Sequence, residues 1–218
     1  TYDVAVEGEQ VVGVTQPGAI STDGARVIDA TGKIVVPGGI EPHAHIGGPR
    51  QVERSGAEPV SRAAIHGGTT TVLDFATQVH GEDIRHALGE AGERWQGNAF
   101  TDYSYHPIFN SVSDEESINQ IGECVEDGFA SFKIFTTSIR PPSPQMLSNK
   151  TDFGRLSLIM DNISAAGGML LVHSEDDDMV HYNYGSAQDK GLWDWWHMHE
   201  IHTNISEDVS FRRAIRLA

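Results

Sequence analysis

The chain is 218 residues long, with 31 acidic against 15 basic side chains, a formal charge of −16 and one cysteine, Cys124. That charge repels nucleic acid and anionic lipid, and no Lys/Arg run offers a local exception. One cysteine closes no internal disulfide, no stretch reaches the ~20 apolar residues of a membrane-spanning helix, and the acidic, alternating N-terminus has no signal-peptide pattern. An acidic, cytoplasmic globular protein is expected, and its eleven histidines point to metal chemistry or proton transfer.

Residues 1–36 read as a small β unit. Strands are expected at 2–6, 11–15, 26–30 and 33–36, separated by turn signals at Gly8, Pro17-Gly18, Asp23-Gly24 and Thr31-Gly32. From Gly38 the rhythm changes. Five apolar segments, 39–46, 69–76, 102–109, 129–136 and 169–175, alternate with helical stretches at 59–66, 82–95, 114–126 and 153–166, and a last helix is expected at 207–217. Near-continuous apolar strands between helices predict a parallel sheet covered on both faces, either a doubly wound open sheet or part of a (β/α)8 barrel. No G-x-G-x-x-G follows the first strand, which removes the main support for a dinucleotide site. A complete five-stranded open sheet would also leave edges that no sequence feature covers.

The chemistry-bearing residues fall near the C-terminal ends of these strands. His43 and His45, two apart in Pro42-His43-Ala44-His45-Ile46, project to one side of an extended chain and can grip one ion together. Lys133 sits inside the apolar run Ser131-Phe132-Lys133-Ile134-Phe135, where burial favours a neutral amine able to react with carbon dioxide. His173 lies in Leu171-Val172-His173-Ser174-Glu175. A second His-x-His, His197 and His199 in 193–202, falls outside the strand series. Ordinary loop histidines are expected there, His202 included, with the tryptophans packing a long loop over the pocket mouth or a subunit contact. The run Glu175-Asp176-Asp177-Asp178 lacks EF-hand spacing and reads as a solvated loop. His66, His80, His86 and His106 show no partnering pattern, and His181 is left open.

The run from Val27-Ile28-Asp29-Ala30-Thr31-Gly32-Lys33 to Val36-Pro37-Gly38-Gly39-Ile40-Glu41-Pro42-His43-Ala44-His45 resembles the cyclic amidohydrolases, and in particular the dihydropyrimidinase/hydantoinase family. The blocks 67–75, 131–135 and 172–175 match that family's second strand, its carboxylated-lysine strand and its third-histidine strand, in the right order. The resemblance implies a metal-dependent (β/α)8 TIM-type barrel. Residues 1–36 would be part of a small β-sandwich and 37–218 the first five β/α units. It further implies two zinc ions (or another divalent metal) per subunit, with His43 and His45 on one, His173 on the other and Lys133, as a carbamate, bridging both. A hydroxide held between the metals would attack the ring carbonyl of a hydantoin- or dihydropyrimidine-type cyclic amide or imide, a small-molecule substrate. Family members are dimers or tetramers, which implies a homo-oligomer.

The family's further histidine and its proton-carrying aspartate come from later strands, and the chain stops at Ala218 without them. A partial sequence is the expectation, inactive or nearly so by itself. Ser138 stands where hydantoinases carry a substrate-contacting tyrosine, ahead of Ile139-Arg140-Pro141-Pro142. Glu175-Asp176 replaces Glu-Asn, and Glu41 replaces the Asp before Pro-His. The loss of the tyrosine keeps dihydroorotase- and allantoinase-like hydrolases open. A non-catalytic homologue serving as an assembly module stands against the intact His43, His45, Lys133 and His173.

Overall fold

A computed structural model describes residues 1–46, 56–139, 148–192 and 194–218. It divides into two compact units, Thr1–Pro37 and Gly38–Ala218.

In the first unit, β1 (Asp3–Glu7) and β2 (Gln10–Thr15) form an antiparallel hairpin with an irregularity between Ala5 and Val6. The turn passes through Gly8 at φ 59°, a left-handed conformation that suits glycine. The strands expected at 26–30 and 33–36 do not form. Alternation produces a strand only where a neighbour supplies a hydrogen-bonding ladder, and no described residue pairs with these two segments. Their apolar side chains stay open, Ile34 being 90% exposed.

The second unit holds a parallel five-stranded sheet in sequential order: β3 (Gly39–Glu41), β4 (Thr69–Thr77), β5 (Asp102–Ile108), β6 (Ser131–Phe135) and β7 (Met169–His173). Crossovers of one hand in sequential order send every connecting helix to the same face. A doubly wound sheet would reverse its order at a switch point. The arrangement is therefore that of consecutive units of a β/α barrel. The connections carry α1 (Ala57–His66), α2 (Ile84–Trp95), α3 (Glu115–Asn119), α4 (Ile121–Glu126) and α5 (Phe153–Ala166). The helix expected across 114–126 is broken at Gln120, whose side-chain amide donates to Asp83 Oδ2 at 3.1 Å.

Local signals fix the boundaries. Asp83 and Asp152 cap α2 and α5 by accepting from the amides of His86 and Arg155, and Gly167 ends α5 in the left-handed region. Gly38 is required by close approach, because a Cβ there would lie 2.2 Å from Thr70 Oγ1.

Strand alternation then sorts the side chains. Val72, Ala76, Tyr105, Phe132, Ile134, Leu170 and Val172 join the helix residues Ala91, Trp95, Cys124, Leu156 and Ile159 in one core. Burial pushes the Cys124 thiol up to about 11, which marks a packing residue and not a reactive one. The residues between them in sequence, Phe75, His106, Ile108, Ser131, Lys133, Phe135 and His173, belong to the opposite face, where Phe75, Ile108 and Phe135 form a second, smaller apolar cluster.

The segment after β7 departs from the expectation of a long loop. Asp176 caps α6 (Asp177–Asp189) by accepting from the Met179 amide at 3.1 Å. A 3₁₀ turn (Trp195–His197) leads into α7 (Met198–Ile201), and α8 (Asn204–Leu217) follows with Thr203 as its cap. The acidic run is thus no solvated loop. Glu175 and Asp176 are buried, and Asp177 and Asp178 sit in a first helical turn, where carboxylates are favoured by the peptide dipoles.

Candidate metal centre

Strand β3 ends at Glu41, earlier than the expected 46, yet the alternation continues. Ala44 and Ile46 pack into the helix-side core, and His43 and His45 face the other way against Phe75. The His45 ring stacks on Phe75 at 4.2 Å between centroids, His43 meets it edge-on at 5.1 Å, and the two imidazoles lie 5.6 Å apart. Three hydrogen bonds hold this extended segment: Ala44 N–H to Leu73 O at 3.1 Å, Ile46 N–H to Asp74 Oδ1 at 3.0 Å and His43 N–H to the Glu41 carboxylate at 2.9 Å. Glu41 therefore orders the backbone of the histidine it precedes.

Lys133 is 3% exposed. Its Nζ lies 5.1 Å from the centre of the Phe135 ring and 5.8 Å from that of Phe75, and no carboxylate pairs with it among the described residues. Burial pushes this amine below the ordinary lysine range. Phe75 links it to the His43/His45 pair, and Phe135, 5.2 Å from the His173 ring, links it to His173. His43 is held below the usual imidazole range first by desolvation and then by the nearby Lys133 and His106 charges. A neutral imidazole is the form that ligates metals. His43, His45, Lys133 and His173 thus share one face of the sheet. The three imidazoles do not close into one mutually close set, and Lys133 neighbours both the pair and His173.

Sequence reasoning missed four supporting residues. Asp74, fully buried on the helix side, accepts from the amides of Ile46 and Phe75 and from the Trp95 indole. His106, read as having no role, is buried: its Nε2–H donates to Pro42 O at 2.8 Å, which leaves Nδ1 to accept from the Ser131 hydroxyl at 2.7 Å. Backbone pairing between β5 and β6 is confined to Ile108 and Lys133, so this imidazole stitches a sparse seam and anchors the residue before His43. His106→Phe keeps the ring and strands both partners. We expect a loss of about 1–3 kcal/mol in urea denaturation; a change below about 0.5 kcal/mol would show that water replaces the imidazole.

Glu175 and His202 are the other two. The Glu175 oxygens meet His173 Nε2 and His202 Nδ1, each at 2.7 Å. Burial opposes ionisation of this carboxyl, but the two imidazoles outweigh it and hold Glu175 below the usual range. His202 is no ordinary loop histidine. Only spatial folding could reveal the contact, because 27 residues separate the partners. His197, by contrast, pairs with Glu200 on the surface at 2.9 Å, and Trp195 and Trp196 are 89% and 85% exposed. They cover nothing among the described residues.

Ser138 is buried with its hydroxyl 2.5 Å from Ser148 Oγ, and its amide donates to Asp177 Oδ1 at 2.9 Å. Burial opposes ionisation of Asp177, but Lys150 at 2.8 Å and the Ser138 amide hold it below the carboxylate range. Ser138 thus braces the turn after β6. Ile139 follows at φ 64°, a strained conformation for a β-branched residue, packed against Phe75, Ile108 and Phe135. Arg140, Pro141, Pro142 and Trp193 lie outside the described residues. A mutually close trio of carboxylate and imidazole ligands does occur at Glu82, His86 and Glu90. Glu82 precedes α2 and is exposed with His86, while Glu90 is half-buried one turn further on, and the His86 ring lies 3.2 Å from Glu82, an ordinary row of polar side chains at helical spacing. Among the described residues no helix is long and apolar enough to cross a membrane.

Residues 34–183 match the Amidohydrolase family. A D-hydantoinase of Streptomyces coelicolor is 31% identical over 223 residues, covering 99% of this chain and 46% of its own length. A D-hydantoinase of Geobacillus stearothermophilus is 32% identical over 179 residues, covering 80% of this chain and 36% of its own length. The crystal structure of dihydropyrimidinase from Brevibacillus agri NCHU1002 superposes with a TM-score of 0.86 at 28% identity, over 99% of this chain and 45% of that one. The chain spans less than half the length of these relatives. A match over residues 34–183, on a sequentially wound parallel sheet with histidines and a buried lysine on one face, means that this chain belongs to the amidohydrolase family.

Proposed function

We propose that the protein hydrolyses a C–N bond of a cyclic amide or imide, of hydantoin or dihydropyrimidine type, with two zinc ions held by His43, His45, Lys133 and His173. The observation that carries the reading is Lys133. An amine 3% exposed, with aromatic faces for neighbours and no carboxylate partner among the described residues, costs several kcal/mol as a bare ammonium. Carbon dioxide relieves that cost. The neutral amine forms an N–C bond to it and releases a proton to solvent, leaving a carbamate anion that two cations can share. The donor set fits such a pair, with two adjacent imidazoles on one side of the lysine and one on the other.

Bound zinc would supply a water molecule acidified to near neutrality and polarise the ring carbonyl. The chain's own residues do the rest: Phe75 and Phe135 keep bulk water from the amine, Asp74 and His106 fix the His43/His45 segment, and Glu175 holds His173. Ser138 favours a second reading within the same class. Its hydroxyl is committed to Ser148 and leaves the tyrosine's substrate contact unmade, which keeps dihydroorotase- and allantoinase-like rings in view. A cytoplasmic homo-oligomer of two or four copies belongs to the same proposal.

The test is zinc content by atomic absorption, together with hydrolysis of hydantoin, dihydrouracil, dihydroorotate and allantoin by the whole protein. Near two zincs per subunit and turnover of one of these rings is the expected result. A metal-free, inert protein would favour the assembly module.

A further inference from the structure

We propose that Glu175 is a positioning residue that fixes the ring of His173 and the nitrogen it offers to a metal, with His202 as its second support. The inference rests on the reading of His173 as a zinc ligand. Glu175 is 5% exposed, and each carboxylate oxygen faces one imidazole, Oε2 at 2.7 Å from His173 Nε2 and Oε1 at 2.7 Å from His202 Nδ1. Its backbone is pinned as well. The Glu175 N–H donates to Thr136 Oγ1 at 2.9 Å, and the Thr136 N–H donates to His173 O at 3.0 Å. The backbone from which the carboxylate reaches the ring is therefore part of the junction between the ends of β6 and β7, while the carboxylate itself is held by its two imidazole contacts.

A carboxylate only accepts, so His173 must carry its proton on Nε2 and keep the lone pair on Nδ1. An outer carboxylate of this kind sets the tautomer, holds the ring and raises its basicity toward a metal. His202 arrives from beyond α6 and α7 and donates to the other oxygen, which keeps the Glu175 plane aimed at His173. The helical segment after β7 is thereby tied to the site through one hydrogen bond.

The tautomer can be read without any metal, by ¹⁵N-histidine NMR of the zinc-free whole protein at a pH where the rings are neutral, with His173→Gln assigning the signal. Zinc binding is then titrated against a chromophoric chelator. Wild type is expected to show His173 as the Nε2–H form. Glu175→Ala should mix the tautomers and weaken one of two zinc sites by about 10- to 100-fold. His202→Phe should weaken the same site less. Wild type binding zinc with His173 as the Nδ1–H form, or Glu175→Ala keeping both tautomer and affinity, would overturn the inference and leave the zinc reading standing. Wild type that shows the Nε2–H form but binds no zinc would overturn the zinc reading and leave Glu175 positioning the ring.

Discussion

Lys133→Met is expected to abolish ring hydrolysis, by about 10³-fold or more, while making the zinc-free protein more stable. The two effects have opposite signs because the lysine is a liability to the fold and a requirement of the proposed site. Methionine fills similar volume among Phe75, Phe135 and the ends of β5 and β6 without an ion to desolvate. Removing the amine should raise stability by about 1–3 kcal/mol in urea denaturation of the metal-free chain. With zinc present the order reverses, since the wild type gains binding free energy that the variant cannot collect.

The same residue gives a pH signature. Burial lowers the Lys133 pKa in the folded state from the usual 10.5, so the unfolded chain binds the extra proton in the window between the two values. Stability of the zinc-free protein should rise as pH climbs through that window and fall as pH drops through the depressed folded value. Lys133→Met should flatten this limb and leave the acid limb alone. A variant less stable than wild type without zinc, or one that retains hydrolysis, would mean that Lys133 is satisfied by a partner in the fold and is no bridge.

Much of the second unit was legible because two signals coincide there. Residues 69–76, 102–109 and 169–175 are largely apolar or aromatic and bounded by helix caps and glycines, so strand identity followed from the pattern, whereas the barrel order came from the family resemblance. The alternation that buries Phe132 and Ile134 also puts Lys133 opposite them, which is why the candidate ligands could be named. What failed depended on partners. The segments 26–30 and 33–36 have strand composition but find no ladder to join among the described residues. The run 175–178 looks solvated by composition, yet Asp176 caps α6 and Glu175 is drawn inward by two imidazoles. The roles of His106 and His202 are illegible in the sequence for the same reason, since a histidine's role lies in what its ring nitrogens meet across the fold.

Asp74→Ala should be the most damaging single change to the fold around the site. The carboxylate is fully buried between β4 and α2 and serves three donors: the Ile46 and Phe75 amides on Oδ1 at 3.0 and 2.7 Å, and the Trp95 indole on Oδ2 at 3.0 Å. Alanine orphans all three in a packed core, a loss of about 3–5 kcal/mol. Asp74→Asn is the sharper probe. Its amide oxygen can keep the two backbone donors, but its NH₂ then faces the indole N–H, donor against donor, at a cost of about 1–3 kcal/mol. Trp95→Phe removes the opposing donor, so the double variant should recover part of that loss, a coupling that a double-mutant cycle reads directly. The consequence reaches the proposed ligands through Ile46, whose amide tie ends the segment bearing His43 and His45. Zinc retention by that pair should fall in Asp74→Asn even where urea denaturation shows the chain still folded. If Asp74→Asn and Trp95→Phe are additive and zinc retention is unchanged, the carboxylate merely fills space between strand and helix, and the His43/His45 segment is held from elsewhere.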